Sequence, residues 1–149
     1  MKPLNELKMQ LESRSVNEGY ARTAVSAFIS QLDPTIEELN DIRTSVSEAV
    51  TNCIVHAYKN SCGKIYIDVK IFGDGKTVTK IRDRGRGIED IKKARQPLFT
   101  TLGGDRSGLG FSVMESFSDK VRGTSTLGKG TTVTLYKTIK GKEQGTEKS

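Results

Sequence analysis

The chain has 149 residues, 34% of them hydrophobic and 28% charged, with 15 Gly, no Trp and a net charge of +6. A domain of that size buries roughly 68–70% of its unfolded surface, so it holds a core without disulfide or metal staples. The composition excludes a disordered chain, and no apolar run approaches the ~18 residues of a membrane span.

The opening residues 1–14 lack the apolar stretch of a secretory signal, which predicts a cytoplasmic protein. Leu7, Met9 and Leu11 alternate with polar residues and predict a first strand. Tyr20, Ala24, Phe28 and Leu32 recur every fourth residue and predict the buried face of a helix starting near Asn17. Asp33-Pro34 stops it, because the residue before proline avoids the helical region. Thr35 and Glu38 have capping-box spacing and open a second helix running to about Tyr58. Its apolar stripe is Ile36, Leu39, Ile42, Val46, Val50, Cys53 and Ala57.

Ile65, Ile67, Val69 and Ile71 alternate cleanly and predict a strand. Gly73-Asp74-Gly75 turns the chain, and Thr77 to Asp83 returns as a hairpin. Residues 85–104 read as loop, with one short helix near Glu89–Arg95. A helix opening at Ser107-Gly108 carries Leu109, Val113 and Phe117. Two last strands, Lys120–Leu127 and Thr131–Ile139, flank Gly128-Lys129-Gly130. Paired strands interrupted by helices predict an α+β fold, a mixed sheet with helices on one face. Residues 1–140 form the single domain of this reading, and 141–149 a basic, disordered tail.

Three segments carry chemistry. Glu48 and Asn52 lie one turn apart on the second helix, outside the apolar stripe, with Ser45 and His56 flanking them. A carboxylate there suits a general base and an amide oxygen suits Mg²⁺, although a solvated polar face has the same pattern. Asp83-Arg84-Gly85-Arg86-Gly87 follows a strand. Its aspartate can accept from an exocyclic amine, and its glycines admit close approach of a ring or phosphate; a plain turn is the alternative. Arg106-Ser107-Gly108-Leu109-Gly110 opens a helix, where free N–H groups and a guanidinium fork suit phosphate. Before it, Pro97 to Asp105 has the glycines and hydroxyls of a lid, including Thr100 and Thr101. Two cysteines, Cys53 and Cys62, fit neither a disulfide framework nor a zinc site. The basic balance favours a polyanionic partner, but there is no basic run and only nine aromatic residues, so direct nucleic-acid binding is not expected.

The order of these segments resembles the N, G1 and G2 boxes of the GHKL ATPase superfamily. Gly130-Thr131-Thr132-Val133 resembles its terminal G-T box, and the likeness runs from about Leu7 to Ile139. The run from Ala94 to Thr101 and the box Ser47-Glu48-Ala49-Val50-Thr51-Asn52 are similar to the sporulation branch of bacterial anti-sigma factors that are also serine kinases. The resemblance implies the two-layer α/β sandwich known as the Bergerat fold, with ATP or ADP and Mg²⁺ as cofactors. It implies Glu48 as general base, Asn52 as metal ligand, Asp83 as adenine reader with Gly85 and Gly87 beside it, and Thr131 at the adenine end. Thr100, Thr101, Arg106, Ser107, Gly108, Leu109 and Gly110 match the lid and phosphate-facing segment. It further implies a sigma factor of the sigma-F type and a serine-bearing anti-anti-sigma protein as partners, with Arg22 contacting both. A homodimer is implied as well, for which the strand at Leu7–Leu11 is a plausible seam. A stress-response relative of the same activity, or a non-catalytic nucleotide-gated module, are the alternatives. Arg84 and Arg86 depart from the neutral or acidic residues usual in the G1 loop.

Overall fold

The computed structural model of the chain describes residues 1–58, 61–86 and 111–141. Strand β1 (Asn5–Glu12) leads into helix α1 (Val16–Ile29) and a 3₁₀ turn (Ser30–Leu32). Helix α2 (Ile36–Asn52) continues without a break into a π-helical turn (Cys53–Ala57). The hairpin β2 (Lys64–Ile71) and β3 (Lys76–Asp83) follows, then helix α3 (Phe111–Phe117) and the hairpin β4 (Lys120–Thr126) and β5 (Gly130–Thr138).

The five strands form one sheet in the order β1-β2-β3-β5-β4, and every neighbouring pair is antiparallel. The expected mixed sheet is corrected here, and the connections explain why. Two helices, not one, separate β1 from β2, so the chain returns antiparallel. The connection from β3 to β4 keeps direction, but β5 slots between them, so no parallel strands touch among the described residues.

The pleat sends Ile65, Ile67, Val69 and Ile71 of β2 to one face, all fully buried. Each contributes about 1.5–3 kcal/mol relative to exposure. They meet Ala21, Val25 and Ile29 of α1 and Ile42, Val46, Ala49 and Val50 of α2 in one core. The helices therefore cover one face, as expected, while the other carries polar residues such as Lys8, Lys70, Lys80, Arg82 and Arg122.

The fully buried stripe of α1 is Ala21, Val25 and Ile29, one residue on from the expected Tyr20, Ala24, Phe28 and Leu32, of which Phe28 and Leu32 pack partly buried against the same core. Tyr20 is 59% exposed. Ile36, expected in the α2 stripe, is also exposed, whereas Ser45 is buried with its hydroxyl 3.0 Å from that of Ser118.

The predicted capping box is present. The Thr35 hydroxyl accepts from Glu38 N at 3.1 Å, and Glu38 Oε1 accepts from Thr35 N at 2.9 Å. The same carboxylate accepts from Lys140 N (2.8 Å) and Gly141 N (3.2 Å), which clasps the chain beyond β5 to the head of α2. Burial pushes the Glu38 carboxyl up, but these hydrogen bonds outweigh it and hold it below its ordinary value. The expected short helix at Glu89–Arg95, the opening of the helix at Ser107 and most of the tail lie outside the described residues.

Candidate functional site

The site is built where β3 ends. Asp83 is the last residue of β3, on the core-facing side, with 5% exposure. Its Oδ1 accepts from Gly85 N at 2.9 Å and from Thr131 N at 3.1 Å. Its Oδ2 receives the thiol of Cys53 at 3.6 Å. Burial raises the carboxyl above its ordinary value, against the lowering effect of these three donors. A thiol is a weak donor, so Oδ2 keeps acceptor capacity for an amine. Burial and the charge of Asp83 push the Cys53 thiol well above its ordinary value, so it stays protonated and donates.

Three elements converge on this carboxylate. Gly130 and Thr131 begin β5 beside it, and Gly130 has φ +121°. A Cβ at Gly130 would stand 2.2 Å from the Asp83 carbonyl oxygen, so the close approach of β5 requires glycine here. The Thr131 and Ser125 hydroxyls are 2.8 Å apart and tie β5 to β4. The π-helical turn after Asn52 places Cys53 against Asp83 and aims the Ala57 carbonyl at the loop following β3, where Arg86 N donates to it at 3.1 Å. A Cβ at Gly85 would lie 2.3 Å from that carbonyl oxygen. On the other side, Gly128 N donates to Arg86 O at 2.6 Å. The loop is thus held between the end of the long helix and the β4–β5 turn.

Tyr58 completes the frame. Its hydroxyl donates to Lys64 O and accepts from Arg84 N, both at 2.7 Å. Burial raises its phenol, which keeps the donating proton in place. The ring covers Gly63, where a Cβ would come within 2.2 Å of it.

Glu48 and Asn52 lie half-buried on the last turns of α2, four residues apart on one face. Asn52 directly precedes Cys53, so the Asn52 end of α2 meets the Asp83 cluster through that thiol. His56 sits half-buried in the π-helical turn. The structure therefore brings together the α2 end, Asp83, Gly85 and Thr131. Arg22 lies apart on α1, where its Nε is 3.4 Å from Glu18 Oε2. Gly87, Thr100, Thr101, Arg106, Ser107, Gly108, Leu109 and Gly110 lie outside the described residues.

Cys53, Ala57, Tyr58 and Ser125 are site residues that the sequence reading missed. Cys53 sat in a plausible apolar stripe, which hid its polar contact. The close succession of Tyr58 and Gly63 was the one available signal, since a ring laid over glycine needs that missing Cβ. Both cysteines are free, Cys53 buried and Cys62 exposed, as their spacing predicted.

The cluster thus combines a buried acceptor at a strand end, two glycine-dependent backbone contacts beside it and the end of α2 next to them. The description of the histidine kinase-like ATPase domain matches residues 11–137, and the chain belongs to that family. Among solved structures, the RsbU and RsbW domains of a Mycobacterium tuberculosis protein align over 92% of this chain and 33% of theirs (TM-score 0.67, 20% identity). The histidine kinase domain of the Erythrobacter litoralis EL346 blue-light activated kinase aligns over 87% and 63% (TM-score 0.58, 20% identity). These two share the fold. Closer in sequence, the anti-sigma F factor of Caldanaerobacter subterraneus subsp. tengcongensis is 54% identical over 136 residues, 91% of this chain and 94% of that relative. Those of Geobacillus kaustophilus (52% over 136 residues, 91% and 93%) and Priestia megaterium (49% over 135 residues, 89% and 92%) are similar throughout. Within the wider family, the chain belongs with the anti-sigma F factors.

Proposed function

We propose that the chain is an anti-sigma factor with serine protein kinase activity. It holds a sigma-F-type sigma factor inactive and uses Mg-ATP to phosphorylate a serine on an anti-anti-sigma protein. The observation that carries the nucleotide half is Asp83: a desolvated carboxylate, two of whose donors are backbone N–H groups from glycine-dependent segments, with Oδ2 left to accept an exocyclic amine. A carboxylate acceptor fits the amine of adenine, and the amide of Asn52 is a hard oxygen ligand of the kind Mg²⁺ takes.

ATP, when bound, supplies the phosphoryl group and Mg²⁺ neutralises its charge. The chain supplies position and a base. Asp83 would fix the ring with Gly87 beside it, and Gly85 and Thr131 steady the carboxylate through their own N–H groups. Asn52 would hold the metal, and Glu48, four residues before it on the same helix, would take the proton from the incoming serine hydroxyl. Thr100, Thr101, Arg106, Ser107, Gly108, Leu109 and Gly110 would close over the phosphates, Arg106 by its planar fork of donors. Phosphoryl transfer depends mainly on positioning and charge stabilisation, and this division of labour supplies both.

The partner half rests on α1. Arg22 lies there, 3.4 Å from Glu18 Oε2, and on another side of the same helix Val16 and Tyr20 are exposed (75% and 59%), apolar surface of the sort that partner proteins bury. The two functions separate in one experiment with labelled ATP, sigma factor and antagonist. Glu48→Gln should abolish label transfer, a loss of about 10²–10⁴-fold, while ADP binding persists. Normal transfer by that variant would remove Glu48 from its role. If the unaltered chain captured sigma but transferred no label to any serine, the kinase assignment would fall and the non-catalytic module would stand.

A further inference from the structure

The solvent side of the sheet is divided by charge. On its β1–β2 half the outward positions are Glu6, Lys8, Gln10 and Glu12 against Lys64, Tyr66, Asp68 and Lys70. Cations and acids balance there, and Lys64–Glu12 and Lys70–Glu6 pair at 2.6 and 3.9 Å. On the β3–β5–β4 half the outward positions carry Lys76, Lys80, Arg82, Lys120 and Arg122 with threonines, Val78 and Tyr136, and no acid. Lys80 and Arg122 flank Thr134 from the two neighbouring strands, which puts their backbones about 10 Å apart. Arg82 and Arg84 both stack on Tyr66, at 4.7 and 4.9 Å from the ring centre. That stack holds two guanidinium groups in place before anything binds, which lowers the ordering cost of association.

From this division we infer that the outward face of β3, β5 and β4 is a docking surface for an acidic polypeptide. Lys76 pairs with Asp74 at 3.7 Å and Lys80 stands opposite Asp68 in the register, but Arg82, Lys120 and Arg122 have no carboxylate opposite them among the described residues, so positive charge is in excess and an incoming set of carboxylates relieves it. The spacing suits them: carboxylates two helical turns apart are about 10.5 Å distant, close to the separation of Lys80 and Arg122. Single-stranded nucleic acid fits less well, because it needs bare aromatic platforms. Here Tyr66 is capped by Arg82 and Arg84, and Tyr136 by Lys120 at 5.7 Å. A second copy of this chain would bring like charge against like. The surface lies on the opposite side of the sheet from the helices, so it stands independently of the kinase reading.

The test uses the full chain and labelled poly-L-glutamate, followed by fluorescence anisotropy. Lys80→Gln with Arg122→Gln should weaken binding about tenfold, whereas Lys8→Gln with Lys70→Gln, on the balanced half, should leave it near the wild-type value. Added salt should weaken binding by the wild type and flatten the difference between the pairs. All four positions are exposed, and melting curves check that each pair folds. Should the first pair melt early, Arg122→Gln alone on the edge strand serves, with about threefold loss expected. Equal losses in both pairs, or none in either, would overturn the assignment. So would oligothymidylate binding the wild type more tightly than poly-L-glutamate does.

Discussion

Gly85→Ala tests the joint between the long helix and the loop after β3. The added methyl would stand 2.3 Å from the Ala57 carbonyl oxygen and 2.6 Å from Ala57 Cβ, while ordinary contact begins at 3.4 Å. The two segments must therefore part by about 1 Å. Neither side is the far end of a flexible side chain, so the movement falls on backbone. Overpacking of that kind costs about 1–3 kcal/mol. Parting also stretches the Arg86 N to Ala57 O and Gly85 N to Asp83 Oδ1 hydrogen bonds, at about 1 kcal/mol each. A loss near 2 kcal/mol is roughly 30-fold in an equilibrium constant. We expect ADP affinity, read by calorimetry, to fall by at least that factor. We also expect Tm to drop by about 2–4 °C for each kcal/mol taken from the fold. If the loop swings out freely, only the affinity falls. Gly73→Ala is the control, since a Cβ there meets nothing within 4 Å, and it should be neutral or slightly stabilising. A Gly85→Ala protein with wild-type Tm and wild-type ADP affinity would refute the account of this joint.

Asp83→Asn should abolish adenine-nucleotide binding while keeping an oxygen to accept from Gly85 and Thr131. Because the folded carboxyl is raised, the charged form costs stability as pH rises through its folded value. The variant should thus melt no lower than wild type at neutral pH, and any advantage should shrink as the wild-type carboxyl protonates in acid. Glu38→Ala removes half of a capping box and the clasp on Lys140 and Gly141, and should cost about 1–2 kcal/mol by urea unfolding. Its carboxyl is lowered in the fold, so that deficit should be full above the ordinary carboxylate range and close as pH falls through the folded value. Arg22→Ala should weaken capture of the sigma factor in a pull-down without changing Tm by more than about a degree, since the ion pair it loses is a half-exposed i,i+4 contact.

What could be read from the sequence was mostly local. Thr35 and Glu38 announce their box because both halves lie within one turn. The β2 strand was plain because its four isoleucine and valine residues alternate without a fault. The N, G1 and G-T segments were readable as order and spacing. The failures come from what lies beyond a window. Both Tyr20–Phe28 and Ala21–Ile29 repeat every four residues, and only the sheet beneath decides which stripe is inside. It chose the small and β-branched set, which lies close to a pleated surface, and left the tyrosine outside. The all-antiparallel sheet depends on β5 entering between β3 and β4, a long-range event that local pattern does not record. The contact of Cys53 with Asp83 joins residues 30 apart, and the π-helical turn that aims Ala57 at the loop leaves no mark in apolar periodicity.

The Glu38 clasp has a consequence for synthesis. As the nascent chain leaves the ribosome, Thr35 can fasten its side of the helix start at once, because Glu38 follows directly. The remaining bonds of that carboxylate wait for residues 140 and 141, more than a hundred positions later. Until they emerge, the long helix that carries Glu48 and Asn52 is only half latched.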